Sequence, residues 1–435
     1  MSDIREFVLN HDLFCHHDHH RSFQEFDAGR EHYDFRNLLG YASDDLVTAN
    51  GTATARSPRA HPAPTDRDRV RLLWPKIRAT GYGRAVVLGA RELFGLEYTP
   101  ENFDAITEAL QVSIRGKSAP QVYEHFVHER AHNRRTIQDF KYDIGNPAAL
   151  QPDTHPTSYR FAFRFDEIMH MVDAGPIEVV ERFVDRPIHS LGQMVGALNL
   201  AIDRFRDTGL LASIKIGMAY GRDLVVGNPT QAEAERAFNR IRSRNNFAGG
   251  IQQNGGAVNA VEGRPLCDYL FHALMQRAAD EDLPVQIHTG YLAGHWGSLA
   301  GARASHLIPV LERYRNVRFD LFHASWPWAS ELGALAKNYP NVWADMCWAW
   351  AMNPTESARA LSEWLDAVPY NKIFAYGADT SLPWCNVGYS LQAKIGIARV
   401  LEEKIEAGYM DEATARAVAA AIMLENGLEF YRLSG

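Results

Sequence analysis

The sequence predicts an α/β fold of the (β/α)8 barrel class, in which parallel strands alternate with helices. Apolar, strand-like runs recur along the chain and a helical stretch follows each one; the runs are 211–218, 285–288, 317–323, 342–346 and 373–376. This alternation implies a parallel sheet with helices outside it. Several of the runs stop at a histidine or an aspartate, and in a barrel the strand ends form the catalytic rim.

Composition excludes several classes of protein. The chain has 435 residues, a formal net charge of −8 and a pI near 6.1, which argues against a nucleic-acid or anionic-membrane surface. No apolar run approaches the roughly 20 residues of a membrane span, and the first residues lack the apolar segment of a secretory signal. The four cysteines lie far apart, which is typical of reduced thiols in a cytoplasmic protein; they are Cys15, Cys267, Cys347 and Cys385.

The first predicted strand carries a dense group of metal-binding residue types. Residues 11–20 include five histidines and two aspartates. Alternate side chains of a strand share one face, so His17 and His19 form a His-x-His pair that can share one cation. The alternative is a histidine-rich tract that binds metal only incidentally. A genuine site requires further ligands at later strand ends.

An insertion is expected after this strand. Residues 42–68 are rich in Ala, Thr, Ser, Pro and Asp and predict a surface loop, whereas 70–110 read as helices. We therefore interpret residues 1–435 as a single barrel domain, in which 42–150 form a loop plus a helical insertion.

Later strand ends supply the missing ligands. The run 284–287 ends in His288, the run 320–322 ends in His323, and the run 374–376 leads to Asp379. Taken alone, His288 could be a structural histidine and Asp379 a helix N-cap. Together with the pair on the first strand, they describe an open catalytic site of the zinc type.

These motifs resemble the amidohydrolase superfamily. The similarity rests on the strand motifs His-Asp-His at 17–19, Ile-Lys-Ile-Gly at 214–217, Gln-Ile-His-Thr-Gly at 286–290, His-Ala-Ser-Trp at 323–326 and Gly-Ala-Asp at 377–379. The branch most similar is the amidohydrolase-related (type 2) group, which includes barrels fused to glutamine-synthetase-like proteins, with uronate isomerases as more distant relatives. The resemblance covers most of 155–435 plus the first strand.

The resemblance implies roles for individual residues. His17, His19, His288 and Asp379 would bind a divalent metal ion, with zinc favoured over manganese or iron and one ion favoured over two. Asp379 would also accept the proton of the metal-bound water. His323 would be a catalytic acid/base or a ligand of a second metal. Cys15 replaces the aspartate usual two residues before the His-x-His pair, which could alter the support of the ligands.

Lys215 has three possible roles. In binuclear relatives the equivalent lysine is carboxylated and bridges two metals. As a cation it would instead bind an anionic group of the substrate, and as a structural residue it would reach solvent. Tyr220 and Arg222 nearby favour substrate binding, because a hydroxyl and a guanidinium beside the lysine would form a carboxylate clamp.

Two further features suggest a substrate pocket. Arg164 should end strand 3 and could clamp a carboxylate, although Asp166 could simply pair with it. Trp326 and Trp328 follow His323 and suggest a mostly apolar or ring-binding pocket. Tryptophans that pack helices against the barrel would give the same pattern.

Three functional classes follow. The first is a metal-dependent hydrolase that cleaves an amide, lactone or related C–N or C–O bond of a small molecule through a metal-activated water. The second is a non-oxidative decarboxylase or uronate-type isomerase on the same metal site. The third is a non-catalytic, metal-binding regulatory barrel. A small-molecule substrate that bears a carboxylate is the expected partner, with no nucleic acid or membrane, and a homo-oligomer is compatible with the sequence.

Overall fold

The structure is a computed structural model that describes residues 3–50, 67–140, 153–245 and 260–434. The described strands are β1 (Leu13–Asp18), β2 (Asn133–Phe140), β3 (Tyr159–Arg164), β4 (Leu211–Ile216), β5 (Val285–Ile287), β6 (Phe319–Leu321), β7 (Val342–Asp345) and β8 (Ile373–Phe374). They pair in parallel in chain order. The segment after β8 lies beside β1, where the backbone N–H of Asp379 donates a hydrogen bond to the carbonyl of His17 (2.9 Å). The result is a nearly closed (β/α)8 barrel, which confirms the predicted fold class.

Helices precede, connect and follow the strands. Their bounds are α1 (Asp3–Asn10), α2 (Phe23–Gly29), α3 (Ala42–Asn50), α4 (Arg67–Ile77), α5 (Gly81–Phe94), α6 (Phe103–Ile114), α7 (Ala119–Tyr123), α8 (Gly175–Val184), α9 (Leu191–Asp207), α10 (Gln231–Asn245), α11 (Ala260–Asp280), α12 (Ile308–Arg313), α13 (Ala329–Asn338), α14 (Ala349–Met352), α15 (Pro354–Ala367), α16 (Cys385–Glu406), α17 (Glu412–Ala420) and α18 (Asn426–Phe430). Two π-helical segments are Glu124–Arg130 and Ala421–Glu425. None of these helices is both long and apolar enough to cross a membrane.

The region 42–150 differs from its predicted organisation in two places. Helices α4, α5 and α6 agree with the helical insertion, but α3 lies where we expected a surface loop. Strand β2 also lies inside this range and belongs to the barrel. The sequence gives no apolar strand signal for β2, because Ile137 is the one apolar residue among its first seven positions. The parts of the predicted loop and insertion at 51–66 and 141–150 lie outside the described residues.

The barrel interior is apolar at one end and polar at the other. Side chains from five strands and from the C-terminal segment form a buried cluster; they are Phe14, Ile137, Ala162, Ala212, Phe374, Phe430 and Tyr431. Polar residues follow towards the carboxyl ends of the strands. The strand register aligns these polar residues across the sheet: Lys215 on β4 pairs with Gln286 on β5, and Gln286 pairs with Asp320 on β6. The fold therefore gathers polar side chains at the rim where the sequence predicted the site.

Candidate metal centre at the barrel rim

One cavity of about 1020 Å³ opens at the carboxyl ends of the strands. Eight of the residues predicted for the site line it: His17, His19, Arg164, Lys215, Tyr220, His288, His323 and Asp379. They come from β1, β3 and β4 and from the segments that follow β1, β4, β5, β6 and β8. The fold thus brings the predicted ligands and catalytic residues into a single pocket.

His17 and His19 stand side by side at the end of β1. Their ring centroids are 4.7 Å apart and their planes are nearly perpendicular. The Oδ1 atom of Asp379 is 2.9 Å from Nε2 of His19 and 4.0 Å from Nε2 of His17. Burial opposes ionisation of Asp379, but the imidazoles of His19, His17 and His323 outweigh it and hold the pKa of this carboxyl well below its usual range. Asp379 is therefore an anionic oxygen donor beside two nitrogen donors.

Cys15 takes part in fixing these two strand ends. Its Sγ atom accepts a hydrogen bond from the backbone N–H of Ala378 (3.3 Å) and donates to the carbonyl oxygen of His17 (3.3 Å). The thiol thus links β1 to the segment that carries Asp379. Cys15 supports the ligands in place of the expected aspartate.

Asp139, at the end of β2, is a rim residue that the sequence analysis missed. Its Oδ2 atom lies 3.4 Å from Nε2 of His17, 3.5 Å from Nδ1 of His19 and 2.6 Å from Nη1 of Arg164. Burial acts to raise its pKa, but the Arg164 guanidinium and the two histidines hold it well below the usual range. Like Asp379, Asp139 is a carboxylate where a strand ends, but the polar β2 gave no strand signal to mark it.

His288 and His323 form a second pair of imidazoles. Nδ1 of His323 faces the carbonyl of Cys347 (2.9 Å), and Nε2 of His288 faces the carbonyl of Tyr291 (2.8 Å). Carbonyl oxygens only accept, so both of these outer nitrogens carry the proton. Burial lowers the pKa of His323 to about 4 and holds that of His288 well below its usual range, so both rings are neutral. The two inner nitrogens, 2.9 Å apart, therefore present lone pairs to each other.

Facing lone pairs repel each other unless a cation lies against them, so this pair fits a metal ion. His17 is also neutral, because burial lowers its pKa to about 3. Neutral imidazoles and ionised carboxylates are the protonation states that metal binding requires. Among the described residues, two groups of three side chains at the rim have ligand atoms within 4.8 Å of one another. These groups are His17–His19–Asp139 and His323–Cys347–Asp379. The rim therefore suits a divalent metal with nitrogen and oxygen ligands.

Lys215 projects into the same cavity without a hydrogen-bond partner among the described residues. Its Nζ atom is buried and lies 3.5 Å from the centre of the Phe322 ring. Burial lowers its pKa to about 8, although the carboxylates of Asp139 and Asp379 act in the opposite direction. At neutral pH the lysine is thus mainly cationic and free to meet an anion.

The backbone is strained where two of these groups leave their strands. His323, Ala324 and Ser325 have φ values of +67°, +51° and +47°, and Asp379 has +57°. Such left-handed conformations are costly for residues other than glycine and cluster at functional sites. At Gly290 (φ +77°), a Cβ atom would approach the backbone of Ser325 to 2.5 Å, so only glycine fits between these two loops.

The predicted substrate-binding residues are only partly brought together. Tyr220 packs its ring against His288 at 4.7 Å, and its hydroxyl accepts a hydrogen bond from the N–H of Ala293 (3.2 Å). Arg164 lines the cavity but pairs with Asp139 and also with Asp166, as the alternative interpretation allowed.

Arg222, Trp326 and Trp328 are not among the described residues that line the cavity. The guanidinium of Arg222 is paired with Asp268 (2.6 Å) and donates to backbone carbonyls, because the chain turns directly after Tyr220. Trp326 packs on Tyr291, and Trp328 lies against Arg303. The expected carboxylate clamp thus lacks its arginine. Polar and charged residues form most of the cavity lining, and the two tryptophans make packing contacts instead, as the alternative interpretation allowed.

Comparison with known proteins relates this chain to one protein family and to several solved barrels. A family model described as amidohydrolase matches residues 221–433. Protein fluG of Emericella nidulans is 27% identical over 203 residues, which cover 43% of this chain and 22% of that protein. The match therefore spans about a fifth of the length of that relative.

Solved structures share the fold over nearly the whole chain. A uronate isomerase from Thermotoga maritima superposes with a TM-score of 0.77 at 11% identity and covers 98% of this chain and 96% of its own. A glucuronate isomerase from Caulobacter crescentus gives 0.75 at 16%, with 99% and 93% covered. A protein of Lactobacillus casei assigned as a metal-dependent hydrolase gives 0.65 at 16%, with 99% and 98% covered. The family match thus places residues 221–433 in the amidohydrolase family, and the solved structures show that the barrel fold is shared over nearly the whole chain.

Proposed function

We propose that this protein is a metal-dependent hydrolase that cleaves an amide, lactone or related C–N or C–O bond of a small molecule. The observation that carries the proposal is the convergence of His19 and the neutral His17, His288 and His323 with ionised Asp379 in one cavity. His17, His19, His288 and Asp379 would hold one divalent ion, zinc before manganese or iron. When bound, such an ion makes water a nucleophile at neutral pH and polarises the bond to be cleaved.

The chain's own residues supply the proton transfers. Asp379 is ionised and borders the cavity, so it can accept a proton from the attacking water. His323 is held by the carbonyl of Cys347 at Nδ1, which leaves Nε2 as the atom that exchanges a proton with substrate or leaving group. Asp139 holds His17 and His19 and is a candidate for an additional ligand.

The cavity lining supports a polar, anionic substrate. Lys215 offers an ammonium that has no hydrogen-bond partner among the described residues, and Tyr220 offers a hydroxyl near His288. Arg36 also borders the cavity, although its guanidinium pairs with Asp34. A carboxylate-bearing small molecule would meet the Lys215 ammonium here, with a volume of about 1020 Å³ to occupy.

The same polar lining favours a second candidate, isomerisation of a hydroxy acid of the uronate kind, with non-oxidative decarboxylation as its variant. Polyhydroxylated acids need many hydrogen-bonding groups around them, and the cavity offers these in place of tryptophans. Product analysis separates the reactions: hydrolysis adds the mass of water, decarboxylation releases carbon dioxide, and isomerisation leaves the mass unchanged.

The first experiment joins metal analysis to a substrate panel. Wild-type protein should carry near-stoichiometric metal, and His17→Ala with His19→Ala should lose metal and activity together. His125→Ala with His128→Ala, on a surface helix, is the matched control. Equal metal content in the rim variant and the control would refute the metal assignment. Metal without turnover of any amide, lactone, uronate or other carboxylate would favour a binding module.

The second experiment tests Lys215. Lys215→Met should raise KM for anionic substrates and leave metal content unchanged, because the lost contact is with substrate. If Lys215 is instead carboxylated and bridges two metals, Lys215→Met should lose one of the two metals. Reconstitution of the wild-type protein with metal should then depend on bicarbonate.

A further inference from the structure

A second cluster of ligand-type side chains lies inside the barrel, and the proposed reaction uses none of them. His16 from β1, Asp320 from β6 and Asp345 from β7 form this inner cluster. Each has at most 1% of its surface exposed. Two carboxylates buried this deeply are costly unless a cation or a proton lies between them.

The donor atoms of the inner cluster lie at the spacing of metal ligands. Nδ1 of His16 is 3.8 Å from Oδ2 of Asp320 and 3.8 Å from Oδ2 of Asp345. Two atoms this far apart can both contact one ion at about 2.1 Å, the usual length of zinc bonds to nitrogen and oxygen. The spacing thus allows one ion to contact His16 together with either carboxylate, and ligand atoms of all three side chains lie within 4.8 Å of one another.

Each of the three side chains also has a buried polar atom without a hydrogen-bond partner among the described residues. Among the described residues, Nδ1 of His16, Oδ1 of Asp320 and Oδ2 of Asp345 have no hydrogen bond, and neither does Oε1 of neighbouring Gln286. Buried polar atoms without partners are rare in folded proteins because each costs free energy. Four in one layer of the barrel indicate a ligand that interacts with all of them.

The surrounding structure holds the ligands in place. The His16 ring is stacked on Phe374, with centroids 4.0 Å apart and planes at 23°. The Tyr431 hydroxyl donates to Oδ2 of Asp320 (2.6 Å), and the N–H of Cys347 donates to Oδ1 of Asp345. Each side chain is therefore oriented by a contact that leaves at least one donor atom free.

We propose that the inner cluster is a second metal site, in which His16, Asp320 and Asp345 bind one divalent transition-metal ion. Mixed nitrogen and oxygen donors suit zinc, manganese or iron. The cluster is closed to solvent, so the ion would enter as the barrel folds and would neutralise the buried carboxylates. This site shares no ligand with the rim centre and does not depend on the proposed reaction.

Anomalous diffraction from crystals of the wild-type protein, purified without chelator, tests the site directly. Data at the zinc, manganese and iron edges should give a peak bounded by His16, Asp320 and Asp345. A rim peak with only water at the inner cluster would overturn this proposal and leave the proposed function intact. A peak at the inner cluster without one at the rim would support this proposal and overturn the proposed function.

Metal content of variants gives an independent measurement. Asp345→Asn should lose one metal equivalent, whereas His17→Ala with His19→Ala should keep that equivalent. Asp268→Asn, a buried aspartate outside the barrel interior, is the matched control and should keep both. If Asp345→Asn does not fold, His16→Phe preserves the stacking on Phe374 and should lose the same equivalent. Unchanged metal content in whichever variant folds would refute the site.

Discussion

The two rim imidazoles that face each other, His288 and His323, differ in what surrounds them. His288 is covered by Tyr220 and held by the Tyr291 carbonyl, whereas His323 is held by the Cys347 carbonyl, with Trp348 beside its ring. The lone pair at Nε2 of His323 can therefore serve either a metal or a proton. Which of these it serves decides the number of metals at the rim.

His323→Asn distinguishes the two roles. If His323 transfers protons, turnover should fall by about 10²- to 10⁴-fold while metal stays bound. The measurements are metal content and kcat on the substrate found in the panel. His306→Asn, the same substitution away from the rim, should change neither. Loss of metal in His323→Asn would show that the histidine is a ligand and would contradict its assignment as an acid/base.

At the scale of elements, helix α3 and the loop after β5 meet at the edge of the rim cavity. Oδ2 of Asp44 accepts a hydrogen bond from the N–H of Gly294 (3.0 Å), and Nε2 of His295 lies 3.2 Å from both the Asp44 carbonyl and the Thr48 hydroxyl. Asp44 and Gly294 both line the cavity. The insertion after β1 thus fastens a loop that follows β5.

Asp44→Ala should loosen this loop. It removes the side-chain acceptor of the Gly294 N–H, so local opening becomes easier, and chymotrypsin should cleave after the exposed Trp296 several-fold faster. Asp45→Ala is the control, since Asp45 accepts a hydrogen bond from Thr80 and not from the loop. Equal cleavage rates in the two variants would refute the fastening role.

Lys394 links α16 to α1 and should make stability depend on pH. Its buried ammonium donates to the Leu9 carbonyl (3.0 Å), and burial lowers its pKa to about 8 from 10.5. The unfolded chain then binds more protons between about pH 8 and 10.5. The contribution of Lys394 to the free energy of unfolding therefore increases with pH across that window, by up to about 1.4 kcal/mol per pH unit.

Urea unfolding at pH 7.5, 8.5 and 9.5 measures this effect as the difference between wild type and Lys394→Met. The difference should grow in favour of wild type as pH rises. Lys337→Met, in which an exposed lysine that also donates to a backbone carbonyl is lost, should show no such trend. A pH-independent difference for Lys394→Met would contradict the assignment.

At the scale of the whole molecule, we propose that residues 1–435 form one barrel domain with its insertion. The rim ligands lie on strands far apart in sequence, so the complete ligand set exists only in the folded barrel. Metal bound at the rim must therefore stabilise the folded state against the unfolded chain.

Metal removal should accordingly lower Tm. A free metal concentration of 100 times the dissociation constant adds about 2.7 kcal/mol to the free energy of unfolding. Chelation of exchangeable metal should therefore lower Tm by several degrees. Calorimetry with and without chelator measures the shift. The variant His17→Ala with His19→Ala should lose most of it, and an equal shift in that variant would mean that the stabilising metal is bound elsewhere.

The sequence by itself determined the barrel and most of the rim. His288, His323 and Asp379 stand where apolar runs stop, and a parallel barrel necessarily brings such ends together. The pair His17 and His19 followed from the alternation of side chains on a strand. These residues could be predicted because the local pattern also fixes the direction in which each side chain points.

Only the tertiary structure decided which other groups join them. Asp139 stayed hidden because β2 is mostly polar and gives no strand signal, while Arg222, two residues from Tyr220, turns away to Asp268. The inner cluster was equally invisible, since His16 meets Asp320 and Asp345 only when β1 closes against the other strands. Distances between side chains from separate strands depend on register and barrel closure, which no local sequence pattern encodes.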